Sequence, residues 1–239
     1  MIYERIEKAE FLNRPNRFIA NCMVNGKEEV VHVKNTGRCK ELLLPGCTVY
    51  LQKSDNPNRK TKWDLIAVEK GKRLINMDSQ VPNKVVYEWL EDGNLFGEGA
   101  FIRPETTYKN SRFDVYVEYE NRKAFIEVKG VTLEEDGVVR FPDAPSERAV
   151  KHVTELIKAV EEGYEAYVFF VIQMEGVKYF TPNIKTHKAF ADVLRMAEEK
   201  GVKILAYDCI VTKDSINVNK SVKVQLMWYN SMSVSKDIR

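Results

Sequence analysis

The sequence predicts an α/β (α+β mixed) protein in two parts: a small antiparallel β-barrel over residues 1–80 and a mixed sheet with flanking helices over residues 81–239. Three observations carry that prediction. Residues 1–78 alternate short apolar runs with turn residues and show no sustained helical period. The remainder alternates strands with amphipathic helices, the pattern of a sheet covered by helices. Between Ser111 and Gly130 lies a hairpin that sets two carboxylates and an ammonium on one strand face.

The barrel elements come first. Ile2–Leu12 reads as a strand closed by Asn13-Arg14-Pro15-Asn16. Arg17–Val24 and Glu28–Lys34 flank Asn25-Gly26, a strong hairpin signal. A helical turn, Cys39–Leu44, stops at Pro45-Gly46, and Thr48–Lys53 and Lys62–Glu69 follow as strands. Five strands with a small helix between the third and fourth are the plan of an OB-like five-stranded barrel. Such barrels bind nucleic acid through basic and aromatic side chains. Arg14, Arg17, Phe18, Arg38, Arg59, Lys60 and Lys62 are the candidates, although singly each is an ordinary solvated side chain. Residues 1–80 carry 15 Lys/Arg against 10 Asp/Glu, a net +5, whereas the whole chain is only +2.

Residues 79–83 form a junction. A helix follows over Asn83–Asp92, with Asn83 as N-cap and Gly93 as stop. Leu95–Thr107 reads as irregular. The hairpin comes next, with a two-residue turn at Glu120-Asn121 or Asn121-Arg122; either choice puts Asp114 on the face of Glu127 and Lys129. A helix opens at Pro142–Ser146 and runs to Glu162, with Arg148 and His152 four apart on one face. Ala166–Gln173 is apolar throughout and reads as a central strand. Lys185–Lys200 is a second amphipathic helix, Val202–Asp208 another strand, and Val222–Trp228 a last strand before a disordered tail.

The hairpin carries the chemistry. Its strand Ala124–Lys129 is mostly apolar, so Glu127 and Lys129 need partners or a metal. Adjacent carboxylates repel, and a divalent cation relieves that repulsion. Mg²⁺ or Mn²⁺, held by few carboxylates and completed by water and phosphate, suits the site. A lysine beside it can polarise water or stabilise developing charge. Asp114…Glu127-x-Lys129 resembles the pattern of the PD-(D/E)XK nuclease superfamily; the competing reading is a surface hairpin with an ion pair across it.

Further segments narrow the resemblance. Asn35-Thr36-Gly37-Arg38 with Glu41-Leu42-Leu43-Leu44-Pro45-Gly46 is one, and Asn110-Ser111-Arg112-Phe113-Asp114 is another. Glu127-Val128-Lys129-Gly130 and Phe141-Pro142-Asp143-Ala144 with Glu147-Arg148 and Lys151-His152 complete the set. Together they resemble the sugar fermentation stimulation protein A family over roughly residues 2–212. The resemblance implies an OB-like domain joined to a restriction-endonuclease-like domain, sequence-nonspecific DNA binding, and a cytoplasmic location. It implies Asp114 and Glu127 as metal ligands, Lys129 as the catalytic ammonium, the Val128 carbonyl as a further ligand, and Glu88 as the acidic residue of the preceding helix. Arg148 and His152 would reach a phosphate, and Gln173 would support the site. Family members often carry Lys-Ser where this chain has Lys129-Gly130.

Two functions remain open from the residues alone: a metal-dependent nuclease on DNA or RNA, and a catalytically silent DNA-binding regulator of sugar, especially maltose, metabolism. A binding-only module has no need of two carboxylates that repel phosphate. No apolar run reaches membrane-spanning length. The four cysteines are scattered without a Cys-x-x-Cys, as in reduced cytosolic proteins. A homodimer is left open.

Overall fold

The computed structural model describes residues 1–35 and 37–226. The first sheet holds β1 (Ile6–Asn13), β2 (Ile19–Val24), β3 (Lys27–Val33), β4 (Thr48–Lys53), β5 (Trp63–Lys70) and β6 (Arg73–Asn76), in the order β3-β2-β1-β4-β5-β6. Parallel pairing of β3 with β5 closes five of these strands into a barrel, and β6 is an additional strand beside β5. Asn25 and Gly26 both have positive φ, as the tight β2–β3 turn requires. The Cys39 carbonyl accepts from Leu43 N–H at 3.0 Å, which makes the expected helical turn before β4.

The second half holds α1 (Val81–Glu91), β7 (Phe101–Tyr108), β8 (Ser111–Tyr119), β9 (Arg122–Val131), β10 (Leu133–Glu135), β11 (Val138–Phe141) and α2 (Glu147–Glu161). It continues through β12 (Glu165–Ile172), β13 (Tyr179–Pro182), α3 (Lys188–Glu199), β14 (Lys203–Val211) and β15 (Ile216–Ser221). The main sheet runs β15-β14-β12-β9-β8-β7, with β9, β12 and β14 parallel. Val81, Val85, Val86 and Leu90 of α1 cover one face, against Val115, Ile126 and Val128. Ala149, Val153 and Leu156 of α2 and Phe190 and Leu194 of α3 cover the other, against Phe125, Val168 and Phe170. That second core continues into the barrel through Val31, Leu51 and Leu65, so the two halves share buried apolar surface. Among the described residues no helix is long and apolar enough to cross a membrane.

Gln173, one residue past β12, ties the halves together. Its amide donates to the Asn76 carbonyl at 3.2 Å, Asn76 Oδ1 at 2.9 Å and the Asp78 carbonyl at 3.0 Å. Asn35 reaches the same segment, donating to the Met77 carbonyl at 3.1 Å.

Several elements differ from the sequence expectation. Helix α1 begins at Val81, and Asn83 is inside its first turn rather than capping it. Pro82 explains the shift, because the first turn has no intrahelical use for its missing N–H. Phe101–Tyr108 is a strand, not an irregular stretch. It lies at the sheet edge, where Pro104 costs no ladder bond, and that proline breaks the sequence pattern of a strand. Strand β6 and the small sheet β10-β11-β13 were too short to announce themselves. The expected strand over Val222–Trp228 is replaced by β15; its described part makes a single bridge, Phe180 to Val224. Trp228 and the expected disordered tail lie outside the described residues.

Asp64 anchors the barrel side of this architecture. It is 4% exposed and accepts from Arg59 at 2.6 and 2.8 Å, with His32 Nδ1 at 3.0 Å and Lys34 at 3.5 Å. Burial pushes its carboxyl up, but the Arg59 and His32 hydrogen bonds and the nearby Lys34 charge outweigh that and hold it at about 2. A carboxyl held below its unfolded value stabilises the fold above pH 4 and loses that contribution as pH falls through the folded value. The shift corresponds to about 2 kcal/mol. The stability difference between wild type and Asp64→Asn, from urea unfolding, should therefore shrink by about 2 kcal/mol between pH 6 and pH 2. An unchanged difference would mean that the cluster contributes no ionic stabilisation.

Candidate metal and phosphate site

The site forms where β8 stops pairing with β9. Tyr119 pairs with Arg122 across a turn in which Glu120 and Asn121 both have positive φ, the first of the two expected turns. The ladder then runs down to Val115 opposite Ile126. Beyond that pair the Asp114 carboxylate takes over the role of the missing strand: its Oδ2 accepts from Val128 N–H at 2.7 Å. Its Oδ1 accepts from the Asn83 amide at 2.8 Å. The N–H and C=O of one strand residue point to the same side, so the Val128 carbonyl faces the same gap.

Glu127 sits on β9 and is 1% exposed. Its Oε1 receives both the Lys129 ammonium and His152 Nδ1. Its Oε2 is buried with no hydrogen-bond partner. Burial alone would raise the Glu127 carboxyl, but the His152 hydrogen bond and the Lys129 charge hold it below the usual range. Asp114 moves the opposite way. Burial and the Glu127 charge raise it, against Lys129, the Val128 N–H and Asn83. An ionised carboxylate oxygen buried without a partner is costly, and a cation beside it removes the cost.

The donor set fits a hard divalent cation. Asp114, the open oxygen of Glu127 and the Val128 carbonyl are oxygen ligands at one strand edge. Among the described residues no group of three or more His, Cys, Asp or Glu side chains could hold a metal. A site with so few protein ligands leaves most of the shell to water and phosphate, which is how Mg²⁺ is held in phosphate chemistry.

The structure thus brings Asp114, Glu127, Val128 and Lys129 together. It does not bring Glu88 to them: that carboxylate pairs with the Met1 amino group at 2.7 Å and with Lys84 at 3.8 Å. The α1 residue that reaches the site is Asn83, which the sequence suggested only as a cap. His152 does not face a phosphate either; it is 7% exposed and is spent on Glu127. Arg148, one turn earlier on α2, is exposed and makes no hydrogen bond or ion pair with any described residue. Gly130 is tightly fitted: a Cβ there would lie 2.5 Å from Gln173 Oε1 and 2.7 Å from Pro82. A serine at this position would force Gln173 or α1 to move.

The barrel candidates divide in the same way. Arg14 is structural, donating to the carbonyls of Arg17, Asn35, Gly37 and Arg38 at 2.6–3.0 Å. Arg59 is committed to Asp64. Arg17, Arg38, Lys60 and Lys62 are exposed, with the Lys62 ammonium 5.2 Å from the Trp63 ring centre. Phe18 is 55% exposed beside Arg17. A cleft of about 260 Å³ lined by Arg14, Arg17, Arg38 and Lys40 meets a second cleft at Gly37, and that second cleft reaches Gly130.

A closed barrel fused to a helix-covered mixed sheet, with an Asp/Glu/Lys cluster at a gap in that sheet, defines a two-part α+β protein. Comparison with known proteins makes the assignment specific. The family description "SfsA N-terminal OB domain" matches residues 12–77, and "Sugar fermentation stimulation protein RE domain" matches residues 80–215. A sugar fermentation stimulation protein homolog of Clostridium beijerinckii is 61% identical over 226 residues, covering 95% of this chain and all of that protein. Its counterpart in Desulfitobacterium hafniense is 63% identical over 227 residues, covering 95% of this chain and 99% of the relative. The structure of Pyrococcus furiosus SfsA in complex with Ca²⁺ superposes with a TM-score of 0.85 at 28% identity, covering 94% of this chain and 98% of that one. The chain belongs to the sugar fermentation stimulation protein family.

The repulsion between the two carboxylates gives a test. Asp114→Asn removes one buried charge and keeps an oxygen for Val128 N–H. The variant should melt a few degrees higher than wild type in EDTA, a gain of about 1 kcal/mol. A lower melting temperature would mean that Asp114 is held for stability.

Proposed function

We propose that this chain is a divalent-metal-dependent phosphodiesterase that cleaves nucleic acid without requiring a recognition sequence. The observation that carries the reading is the buried, unpartnered Oε2 of Glu127 beside Asp114, with the Lys129 ammonium on the same carboxylate. The Asp…Glu-x-Lys arrangement resembles that of PD-(D/E)XK nucleases. The Ca²⁺ complex of the Pyrococcus furiosus relative supports a divalent cation, and Mg²⁺ or Mn²⁺ would serve catalysis. Bound there, the cation would polarise a phosphoryl oxygen and lower the pKa of a water.

The chain's own groups perform the rest. Asp114 and Glu127 hold the cation, and Asn83 and the Val128 N–H fix the Asp114 carboxylate in one orientation. His152 fixes Glu127 from behind, so that Oε1 is spent and Oε2 stays open. Lys129 then sits where negative charge grows as the phosphate is attacked. On the barrel, Arg17, Arg38, Lys60 and Lys62 supply exposed positive charge for phosphates, and Phe18 supplies a face for a base. A silent DNA-binding regulator would use the same cations, but the paired carboxylates would work against phosphate binding.

The assay is cleavage of labelled single-stranded, duplex and branched DNA and RNA in Mg²⁺ or Mn²⁺. Wild type should cut at least one of these. Lys129→Ala should keep binding and lose about 10²–10³ in rate, the usual effect of deleting a positioned charge-stabilising group. Lys129→Arg should rescue poorly, because a longer planar guanidinium does not fit an ammonium's position. Absence of wild-type cleavage on every substrate would favour the regulator. Undiminished cleavage by Lys129→Ala would place the chemistry elsewhere.

A further inference from the structure

A cleft of about 180 Å³ opens at the carboxyl ends of β9 and β12, between the barrel loop at Gly37 and the segment Arg140–Asp143. We propose that it receives one unstacked nucleobase carrying an exocyclic amine, from the strand whose phosphate sits at Asp114 and Glu127. This deepens the nuclease reading and rests on it.

The first argument is placement. Carboxyl ends of parallel strands are a preferred position for ligands in open α/β sheets. Strand β9 carries the site at Glu127 and Lys129 and borders the cleft at Gly130 and Val131. Three residues of strand separate Glu127 from Gly130, about 10 Å at the usual rise. That is the scale of the reach from a phosphate across its sugar to its base.

The second argument is size. About 180 Å³ is the liquid volume of about six waters, enough for one small heterocycle and well below a drug-sized pocket. Nucleic-acid enzymes that need an isolated nucleotide take it out of the stack into such a pocket.

The third argument is chemistry, and it selects a base over a phosphate. All three hydrogen bonds of the Gln173 amide nitrogen go to Asn76 and Asp78, so the orientation of the amide is fixed. Its Oε1 is therefore directed to the Gly130 side, and it receives no hydrogen bond from any described residue although Gln173 is 1% exposed. A carbonyl oxygen that opens on the cleft with no protein donor is free to accept an N–H from a ligand. Asp143 supplies a second acceptor: a Cβ on Gly37 would lie 2.3 Å from its Oδ2, so only glycine lets the barrel loop approach it so closely. A phosphate would meet repulsion from these oxygens. A base amine would donate to them, and Arg140, half-buried on the same wall, can donate to a ring nitrogen or carbonyl. The phosphates on either side have cations outside the cleft, at Arg17, Arg38 and Lys40 on the Gly37 side.

The test uses the full chain in Ca²⁺, with a single-stranded oligonucleotide carrying 2-aminopurine at one position per molecule. Total binding is read by the anisotropy of an end label and unstacking by 2-aminopurine fluorescence. One label position should brighten severalfold on binding while its neighbours do not. With cytosine at that position, affinity should exceed that with thymine by about tenfold, the order of one good base contact. Asp143→Asn and Arg140→Ala, both on the accessible rim, should remove the brightening and the preference and leave the anisotropy of a thymine-containing strand unchanged. Normal binding with uniform, dim fluorescence and no base preference would overturn the base cleft while leaving the nuclease reading intact. No binding of any oligonucleotide would overturn both.

Discussion

The site depends on one interruption: β8 releases β9 after Val115 and Ile126, and the Asp114 carboxylate takes the Val128 N–H in place of the ladder. A strand backbone left open in a sheet interior must be satisfied by something. Using a carboxylate for that purpose draws an acidic group into the sheet, beside a second acidic group that already belongs to it. The neighbouring strand β12 pairs with β9 through Val131 without a break, so β9 stays rigid while one of its edges is opened. The rigid strand holds Glu127 and Lys129 two residues apart, and the open edge offers Asp114 and the Val128 carbonyl.

The charges around that opening are arranged unevenly. Glu127 has two cationic or protonatable partners on one oxygen and none on the other. Asp114 has two hydrogen-bond donors, but burial and its acidic neighbour still raise its carboxyl. A purely structural cluster would be expected to satisfy every buried oxygen. Within this cluster the unsatisfied oxygen is Glu127 Oε2, where phosphate chemistry would need a cation, as expected of stability given up for function.

Much of this was legible in the sequence. The Asn25-Gly26 turn, the all-apolar Ala166–Gln173 strand and the alternation around Glu127 each have one reading, because each local pattern agrees with the fold around it. The hairpin turn was narrowed to two choices that share Asn121, and the pairing of Tyr119 with Arg122 makes Glu120 the other turn residue. Other features could not be read. Asn83 and Glu88 are both plausible on α1, and only the start of the helix at Val81, set by Pro82, turns Asn83 towards Asp114. His152 looked like a phosphate ligand because i, i+4 spacing to Arg148 says nothing about which face of α2 is buried. Arg59 and Arg14 looked like surface cations because their partners, Asp64 and the carbonyls of the 35–38 loop, are set by barrel closure.

The central claim is that Glu127 Oε2 is a metal ligand. Its most direct measurement is water-proton relaxation in a Mn²⁺ titration of wild type and Glu127→Gln, with circular dichroism to confirm that both are folded. Wild type should bind one Mn²⁺ with weak affinity and enhanced relaxation, and folded Glu127→Gln should show no enhancement above free Mn²⁺. Equal enhancement in the two proteins would contradict the account and leave the carboxylate pair with a structural role only.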